Sequence, residues 1–459
     1  MIAIVGGGAS GTLTASHLLD VATEAAVPLR LVLIDRFGRH GLGQAYATSD
    51  PCHLLNATAD RMSAYDGDPG HLLRWTRETG TDRDGADFLS RGVFGRYLCH
   101  VLAAAEQRAR PVAALSRLTA TVTAVSGGAR GHRPLRLQLS HGGRLDVDVV
   151  VLAVGNPAPA LQVGEDTGPR YIADPWAPDA LTAVNDDAPV LVVGTGLTMI
   201  DVATTLTAAR PGTTVYAVSR HGLLPRRHRC PSPPPSTLSL PDGPTDLASL
   251  MSAVRAAVAA NGGEWRGVVD GLRPLIPDLW ARLSRADQRV FLDRLARYWE
   301  VHRHRVAPET AERITVLRSS GRLRVLRGRV DALLPVRAGV RARITQGADR
   351  RDLRVGWVVN GTGPAGNITE SHDPLMRHLL ESRLVRPDGL GIGLDAAPDG
   401  ALRDGRGRPH DRIFALGPPL RGLRYETTAV PEIRGQAAAL ADRLLASLRP
   451  EPSGVAIVP

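Results

Sequence analysis

The sequence has no lysine, only three cysteines and few aromatic residues, which make up 4% of its 459 positions. All 56 basic residues are therefore arginine, and against 46 acidic residues they leave a formal charge of +10. The arginines are spread along the chain without a basic stripe interleaved with aromatic residues, as a nucleic-acid surface would require. We therefore expect no nucleic-acid partner, and an anionic small molecule as the ligand that the charge favours.

Cys52, Cys99 and Cys230 lie far apart, which excludes a disulfide framework and a C-x-x-C redox or zinc pair. We predict no metal site and a reducing compartment. No apolar stretch reaches the roughly 18 residues of a membrane span. Met1 is followed at once by a strand-like run rather than by the basic and apolar regions of a signal peptide. These absences predict a cytoplasmic protein without a membrane partner, and they leave the oligomeric state open.

Two strand–helix–strand patterns organise the chain. Residues 2–5 run into a glycine-rich turn and a helix-like stretch, and the next apolar run ends at Asp35. The pattern returns from residue 190, and its second strand ends at Ser219 and Arg220. Such units form parallel sheets, so the predicted class is α/β, with two dinucleotide-binding (Rossmann-like) domains.

The first glycine turn has the spacing Gly6-x-Gly8-x-x-Gly11 between a strand and a helix. Its glycines permit the tight turn, the approach of a pyrophosphate and close helix–strand packing, while Asp35 would accept hydrogen bonds from a ribose. The alternative is an ordinary strand-to-helix turn. The predicted cofactor contacts here are Gly6, Gly8, Ala9, Ser10, Gly11, Asp35 and Arg36.

The second turn, residues 194–199 (GTGLTM), has methionine where the third glycine or alanine usually lies. Its following strand ends in Ser219 and Arg220 instead of a carboxylate, which suits the 2′-phosphate of NADPH. The alternative is that Arg220 is one of many surface arginines, and Arg226 and Arg227 are further phosphate candidates. The predicted contacts are Gly194, Gly196, Leu197, Thr198, Ser219 and Arg220.

A proline-rich linker at residues 231–239 precedes apolar residues at helical spacing, which predicts a helical insertion at about 240–320. Two dinucleotide-binding folds with the first at the N-terminus resemble flavoprotein pyridine-nucleotide oxidoreductases. Further segments resemble a bacterial FAD/NAD(P)-binding family typified by the uncharacterised protein YdhS, and more distantly the class B, N-hydroxylating flavin monooxygenases. These segments are residues 41–46 (GLGQAY), 53–57 (HLLNA), 61–63 (RMS), 94–98 (FGRYL), 194–201 (GTGLTMID), 298–299 (YW), 302–305 (HRHR), 425–426 (YE) and 429–434 (AVPEIR).

The resemblance implies FAD in residues 1–165 and 364–459, and NADPH in residues 166–363, which include the insertion. Gly155 and Gly363 each follow a strand after which the chain crosses from one domain to the other. Gly417 would meet the flavin's ribityl chain. Pro431 has the place of a helix-opening proline, so Ala429 and Val430 would lie at a helix N-terminus aimed at the flavin. By resemblance His53, Asn56, Met62 and Ser63 lie along the isoalloxazine.

His302 and His304 alternate with Arg303 and Arg305, a combination that can bind an acidic substrate or move a proton. The alternative is a set of domain-interface residues. We thus predict His53, Asn56, Ser63, His302 and Arg305 as catalytic.

Residues 148–156 also resemble the Asp-x-x-x-Leu-Ala-Thr-Gly-Tyr signature of N-hydroxylating enzymes, but valine and asparagine replace its threonine and tyrosine. A generic strand returning to the FAD domain explains them equally well.

The function that the resemblance implies is an FAD-dependent oxidoreductase in which NADPH reduces FAD. A monooxygenase using molecular oxygen, in N-hydroxylating form, on a small polar or amino-acid-like substrate is the preferred version. The alternatives are an NADPH oxidase or dehydrogenase and a non-catalytic dinucleotide-binding sensor. Disulfide reductase activity is disfavoured, since no cysteine pair lies near either glycine turn.

Overall fold

The fold is built on two parallel sheets, each of which leads into one of the glycine turns. The structure is a computed structural model that describes residues 1–127, 133–159, 168–240, 243 and 245–448. The strands are β1 Ile2–Val5, β2 Leu29–Asp35, β3 Ala113–Thr119, β4 Val122–Ser126, β5 Leu135–Leu139, β6 Arg144–Val147, β7 Val149–Leu152, β8 Tyr171–Ile172, β9 Val190–Val193, β10 Val215–Ser219, β11 Leu323–Arg327, β12 Arg329–Val336, β13 Gly339–Gln346, β14 Asp349–Val355, β15 Trp357–Asn360, β16 Ala401–Arg403 and β17 Pro409–Ala415.

The helices connect and cover these sheets. They are α1 Ala9–Glu24, α2 His71–Glu78, α3 Arg91–Ala109, α4 Leu197–Ala209, α5 Leu247–Ala260, α6 Trp265–Leu272, α7 Ile276–Arg282, α8 Arg285–Val290, α9 Ala296–Arg303, α10 Pro308–Ser319, α11 Pro374–Glu381, α12 Arg421–Arg424 and α13 Val430–Leu448. A π-helical turn at Phe291–Leu295 joins α8 to α9. Within the described ranges, no helix combines the length and the apolar character needed to cross a membrane.

The first sheet takes strands from both ends of the chain, in the order β16-β17-β7-β1-β2-β3. All neighbouring pairs are parallel except β16 and β17. One face is buried against α1, α3 and α13, with Ile4, Leu13 and Phe94 in that core. The other face packs against the antiparallel sheet β4-β5-β6 and α11. The C-terminal residues therefore complete the sheet that the N-terminal residues begin.

The second sheet is entirely parallel, in the order β11-β10-β9-β15-β8. On one face α4 and α10 bury Met199, Ile200 and Ile314. On the other face the antiparallel sheet β12-β13-β14 contributes Leu333, Ala342 and Ile344 to a separate core. Both large sheets thus have the same plan, with helices on one side and a three-stranded sheet on the other.

The helical insertion packs against the first fold rather than extending from the second. Trp280 in α7 donates a hydrogen bond to the Gly422 carbonyl at 2.9 Å and stacks on Tyr425, with ring centroids 4.7 Å apart. Tyr425 belongs to the same apolar cluster as Leu250 and Val268 of the insertion. The insertion therefore closes over the end of the first sheet that lies next to α13.

Some observed elements differ from the sequence-based predictions or go beyond them. The sequence predicts one strand at residues 355–359, but β14 ends at Val355 and β15 begins at Trp357, with Gly356 between them. The hairpins of β12, β13 and β14 were not predicted. The last helix begins at Val430, as the helix-opening place of Pro431 predicts, and Pro431 sits at its second position, where a proline is tolerated. The predicted boundary at residues 165/166 and Gly128 of a predicted turn lie outside the described residues.

Candidate functional site

The first glycine turn is shaped by close backbone contacts. Gly6 has φ +113°, and a Cβ added there would lie 2.2 Å from the Ala153 carbonyl oxygen. A Cβ on Gly11 would lie 1.8 Å from the Gly6 carbonyl oxygen. Both distances are too short for any side chain, so glycine is required at both positions. Gly8 differs, because its added Cβ would meet only the Gly43 Cα, at 3.5 Å. Gly8 therefore leaves free space beside the first turn of α1.

Asp35 fixes the turn to the end of β2. Its Oδ2 accepts a hydrogen bond from the Gly7 amide at 3.2 Å, and its Oδ1 accepts from the amides of Phe37 and Arg39 at 2.9 and 3.0 Å. The residue is 9% exposed. Arg36 is exposed, and its guanidinium lies over the Phe37 ring. Asp35 thus has a structural role here, and its contact with a ribose stays a prediction.

Two distant segments meet the start of α1. A Cβ on Gly417, which has φ +71°, would lie 2.8 Å from Ser10 Oγ, and the Gly417 amide donates to Gln436 of α13 at 3.0 Å. The Gly41 amide donates to the Gly7 carbonyl at 2.9 Å, and Gly43 lies against Gly8. The predicted residues Gly8, Ser10 and Gly417 are therefore brought together. Gly41 and Gly43 were not predicted as contacts, although they lie in the first of the resembling segments.

The second glycine turn repeats the packing of the first. Gly194 has φ +125°, and its added Cβ would lie 2.1 Å from the Gly361 carbonyl oxygen. Gly196 is open, with no heavy atom within 4 Å of an added Cβ. An added Cβ at Gly155, which follows β7, or at Gly363, which follows β15, would likewise have no heavy atom within 4 Å. Neither Gly8 nor Gly196 is therefore crowded on the side of an added Cβ, which suits the approach of a pyrophosphate to the backbone.

Three arginines from different elements surround His221, which lies just beyond the end of β10. Ser219 Oγ lies 2.8 Å from Thr195 Oγ1 and accepts from the Gly222 amide, so this hydroxyl braces the loop. Arg220 is exposed, and His221 Nε2 lies 2.7 Å from Arg297 Nη1. Partial burial lowers the pKa of His221, and three guanidinium groups lower it further. These groups belong to Arg297, Arg220 and Arg327.

Arg327 was missed in the sequence, although it ends β11 and pairs in register with Ser219. Arg297 comes from the helical insertion and could not be placed here by spacing. Of the other candidates, Arg226 is exposed and Arg227 pairs with Glu312 at 3.0 Å. The result is a basic cluster of Arg220, Arg297 and Arg327 at the carboxyl ends of β10 and β11.

The segment predicted to lie along the isoalloxazine is largely buried. His53 Nδ1 lies 2.8 Å from Thr48 Oγ1, and His53 Nε2 lies 2.8 Å from Thr205 Oγ1 in α4. The Asn56 carbonyl lies 3.0 Å from His228 Nε2. Met62 is buried, and the fully buried Ser63 hydroxyl donates to the Asp68 carbonyl at 2.6 Å. Ser63 therefore stabilises a turn, and the catalytic roles of these residues stay predictions.

The arginines of residues 302–305 are buried in two ion-pair clusters that join the insertion to the first fold. Arg305 pairs with Asp270 in α6, and Asp270 also pairs with Arg61 at 3.2 Å. Arg303 lies 3.4 Å from Glu426 and 3.6 Å from Glu432, while its Nε and Nη2 make no hydrogen bond. His302 Nδ1 lies 2.7 Å from its own helix at the Tyr298 carbonyl, and its ring meets Trp265 edge-on.

Together the two clusters contain four guanidinium and three carboxylate groups. Arg61 and Arg305 share Asp270, while Arg273 and Arg303 pair with Glu426 and Glu432. Glu432 lies in the first turn of α13, beside the predicted Val430. Burial lowers the pKa of both His228 and His304 to about 4, so neither adds a positive charge at neutral pH. The excess positive charge therefore lies in the cluster of Arg61, Asp270 and Arg305, whereas the cluster that includes Glu432 of α13 is balanced.

A small cavity lies where the two folds meet. Its lining includes Leu54 and Asn56 from the first fold, Leu197 and Asp201 from α4, and Thr310 from α10. Arg91 of α3 reaches across the junction, and its Nη1 lies 2.7 Å from Asp201 Oδ2. Asp201 is 5% exposed, and burial raises the pKa of its carboxyl while Arg91 opposes that shift. Neither Arg91 nor Asp201 was predicted as a site residue.

Comparison with known proteins agrees with this arrangement. Residues 3–157 match a protein family described as FAD-NAD(P)-binding. A search of curated protein sequences finds no match to the chain.

Solved structures match the chain along nearly its whole length. L-lysine 6-monooxygenase from Pseudomonas syringae has a TM-score of 0.68 at 17% identity, over 98% of this chain and 99% of that one. An ornithine N-hydroxylase from Kutzneria sp. 744, solved with reduced FAD, NADP⁺ and L-ornithine, has a TM-score of 0.64 at 15% identity, over 98% and 99%. A bacillithiol disulfide reductase from Bacillus cereus has a TM-score of 0.54 at 12% identity, over 97% and 99%.

These findings confirm the predicted α/β class with two dinucleotide-binding, Rossmann-type folds. Residues 3–157 match an FAD-NAD(P)-binding family, and the whole chain has the fold of the structures named above. Because one fold is shared by monooxygenases and a disulfide reductase, the fold alone does not assign the reaction.

Proposed function

We propose that the protein is an FAD-dependent oxidoreductase in which NADPH reduces FAD, and that it acts as a flavin monooxygenase. Its preferred form is N-hydroxylation of a small polar or amino-acid-like substrate with molecular oxygen. One observation carries the proposal: a single chain repeats the same glycine packing, Gly6 against Ala153 and Gly194 against Gly361. Two such turns in one chain suit one dinucleotide that delivers electrons and another that receives them.

FAD fits the first turn. The open side of Gly8 and the amides of Ala9 and Ser10, at the start of α1, suit a pyrophosphate, because a helix N-terminus offers unpaired donors and positive potential. Gly417 lies against the Ser10 hydroxyl, and we place the flavin's ribityl chain beside this pair. The domain division also follows from this placement. Residues 1–165 and 364–459 would form the FAD domain, and residues 166–363 the NADPH domain with its insertion.

NADPH fits the second turn. Gly196, Leu197 and Thr198 begin α4 and would hold its pyrophosphate. The basic cluster of Arg220, Arg297 and Arg327 provides positive charge for the 2′-phosphate at the end of β10.

When bound, the flavin supplies hydride acceptance from NADPH and electron transfer to oxygen. The chain's own residues would orient it and exclude water. Val430 and Pro431 begin α13, whose N-terminus favours negative charge on a neighbouring group. Arg303 ties the insertion to this end through the buried carboxylates of Glu426 and Glu432. The unbalanced charge of Arg61 and Arg305, which share Asp270, favours an acidic group on the substrate. His53 and His302 remain candidates for proton transfer.

The two alternatives make different use of the same cofactors. An NADPH oxidase or dehydrogenase would pass electrons to another acceptor, and a sensor would bind dinucleotides without turnover. Disulfide reduction is less consistent with this chain, because Cys52, Cys99 and Cys230 are all unpaired and widely separated. The unpaired cysteines also support our proposal of a cytoplasmic location. Membership of the family typified by YdhS rests on the resembling segments alone.

The test is to mix purified protein with NADPH without oxygen, and then to admit air with an amine present. A sensor would leave the flavin oxidised throughout. An oxidase would release hydrogen peroxide regardless of the amine. A monooxygenase would consume oxygen in proportion to an N-hydroxylated product.

A further inference from the structure

Only two phenylalanine, tyrosine or tryptophan side chains in the described ranges are exposed to solvent. They are Phe37, which is 54% exposed, and Tyr298, which is 48% exposed. Every other aromatic residue of this aromatic-poor chain is buried or half-buried. A single exposed ring needs no explanation by itself, but these two occupy corresponding places in the two folds.

Each ring lies just beyond the strand that receives the adenosine end of a dinucleotide. In a Rossmann-type unit the pyrophosphate lies at the glycine turn and the adenosine ribose lies at the end of the second strand. Phe37 is two residues beyond β2, and its amide donates to Asp35 Oδ1 at 2.9 Å. His221 is likewise two residues beyond β10, and its ring centroid lies 6.2 Å from that of Tyr298. The adenine that follows each ribose would thus reach one exposed aromatic ring.

Arginines accompany both rings, which suits a ligand that carries phosphates next to its base. The guanidinium groups of Arg36 and Arg39 lie 4.8 and 5.7 Å from the centre of the Phe37 ring. Arg297, which precedes Tyr298 in α9, belongs to the basic cluster at the end of β10. An exposed cation–π contact is weaker than the stacking of a base on an aromatic ring. Adenine can therefore replace a guanidinium over Phe37 and leave that arginine for a phosphate.

We propose that Phe37 stacks on the adenine of FAD and that Tyr298 stacks on the adenine of NADPH. This inference rests on the proposed function and adds an adenine contact to each of its two cofactor sites. Phe37 follows its strand directly in sequence, whereas the helical insertion brings Tyr298 to the second fold. The Arg226 amide donates to the Val301 carbonyl at 2.9 Å, which holds α9 beside the segment that follows β10. The insertion would thus complete the adenine end of the NADPH site.

The experiment measures both cofactors in Phe37→Ala and in Tyr298→Ala. The loss of FAD on dilution is followed by free-flavin fluorescence, and NADP⁺ and adenosine 2′,5′-diphosphate are titrated in the presence of saturating FAD. We expect Phe37→Ala to weaken FAD about tenfold and to leave NADP⁺ unchanged, since one stacked base is lost. Tyr298→Ala should weaken NADP⁺ and adenosine 2′,5′-diphosphate by the same factor of about ten and leave FAD unchanged.

Variants that keep the ring separate stacking from apolar bulk. Tyr298→Phe and Phe37→Tyr retain an aromatic face and should bind within about twofold of the unmodified protein. Tyr298→Leu and Phe37→Leu retain an apolar side chain without that face, so they should recover little of the affinity that the alanine variants lose. Val290→Ala, which removes another exposed apolar side chain of the insertion, is the matched control and should leave both cofactors unchanged.

The contradicting results are specific to each ring. Unchanged FAD binding in Phe37→Ala, or unchanged NADP⁺ binding in Tyr298→Ala, would overturn the assignment of that ring. Equal weakening of FAD and NADP⁺ by one variant would show a general effect on the fold, and full recovery by leucine would rule out stacking. Absence of FAD from the unmodified protein, or its failure to bind NADP⁺ and adenosine 2′,5′-diphosphate, would instead contradict the proposed function.

Discussion

Glu432 in the first turn of α13 holds Arg273 of the helical insertion through both of its carboxylate oxygens. Both side chains are largely buried, at 15% and 14% exposure. The pair joins residues 159 positions apart in the sequence. It therefore fixes the insertion to the end of α13 at which we place the flavin.

Removal of one partner from this pair should loosen the insertion. Glu432→Gln leaves Arg273 without its counter-charge, and an uncompensated, largely buried charge costs about 3 kcal/mol. We expect a lower melting temperature and faster proteolysis of the linker at residues 231–239. The double variant Glu432→Leu with Arg273→Met should recover much of the loss, because it buries no charge. Equal melting temperatures for Glu432→Gln and the unmodified protein would contradict this account of the pair.

Gly8→Val should remove FAD without unfolding the chain. Gly8 has a φ of −75°, which any residue adopts, and an added Cβ meets only the Gly43 Cα at 3.5 Å, so the fold has room for a side chain there. The same side chain would occupy the space that a pyrophosphate needs. The measurement is the ratio of flavin to protein after purification, beside a circular dichroism spectrum. Gly67→Ala, an open position away from the turn, is the control. A folded Gly8→Val protein with full flavin would refute the assignment of the first turn.

Arg220→Ala should raise the Michaelis constant for NADPH about ten- to a hundredfold and leave that for NADH nearly unchanged. A charge-assisted contact between guanidinium and phosphate contributes roughly 1.5 to 3 kcal/mol, and NADH has no 2′-phosphate to lose. Arg297→Ala should act in the same direction, because it lies in the same basic cluster. Arg318→Ala, an exposed arginine on α10, serves as the control. Similar losses for NADPH and NADH would show that Arg220 supports the loop only.

Acidification should destabilise the protein through His228. Its folded pKa is about 4, mainly because of burial, whereas an unfolded histidine titrates near 6.5. Below pH 6.5 the unfolded chain takes up a proton that the folded protein does not, so the free energy of unfolding falls between about pH 6.5 and 4. The full contribution is roughly 3 kcal/mol at 1.36 kcal/mol for each pKa unit.

Urea unfolding at several pH values measures this slope. His228→Asn removes the titrating group, so its stability should change less steeply with pH than that of the unmodified protein. Identical slopes for the two proteins would mean that His228 is not the group responsible.

The two strand–helix–strand units could be predicted because their signals are local. Glycine spacing and uniformly apolar strands such as β1 and β9 need no tertiary information. The strand β13 was missed although Val340, Ala342 and Ile344 are buried in alternation with exposed or half-buried residues. That period of two, with Arg341 and Arg343 at the intervening positions, was a usable signal for a half-buried strand.

Parts of the site depend on contacts that no sequence spacing reveals. Arg297 reaches the end of β10 only because the insertion folds back over it. Asp201 lies on a helix whose motif was recognised, yet its ion-pair partner is Arg91, which lies on α3 in the other fold. Residues 302–305 were predicted as candidate site residues, and the structure places Arg303 and Arg305 in buried ion pairs with carboxylates from distant segments.

The stoichiometry of NADPH, oxygen and product in the presence of a small amine tests the central claim most directly. L-Ornithine, L-lysine and cadaverine are suitable first amines, since they span substrates with and without a carboxylate. The account predicts that NADPH reduces the bound FAD. With an effective amine, the oxygen consumed should be matched by N-hydroxylated product, and little hydrogen peroxide should form. Flavin that stays oxidised under NADPH, or electrons that pass to hydrogen peroxide with every amine tested, would contradict it.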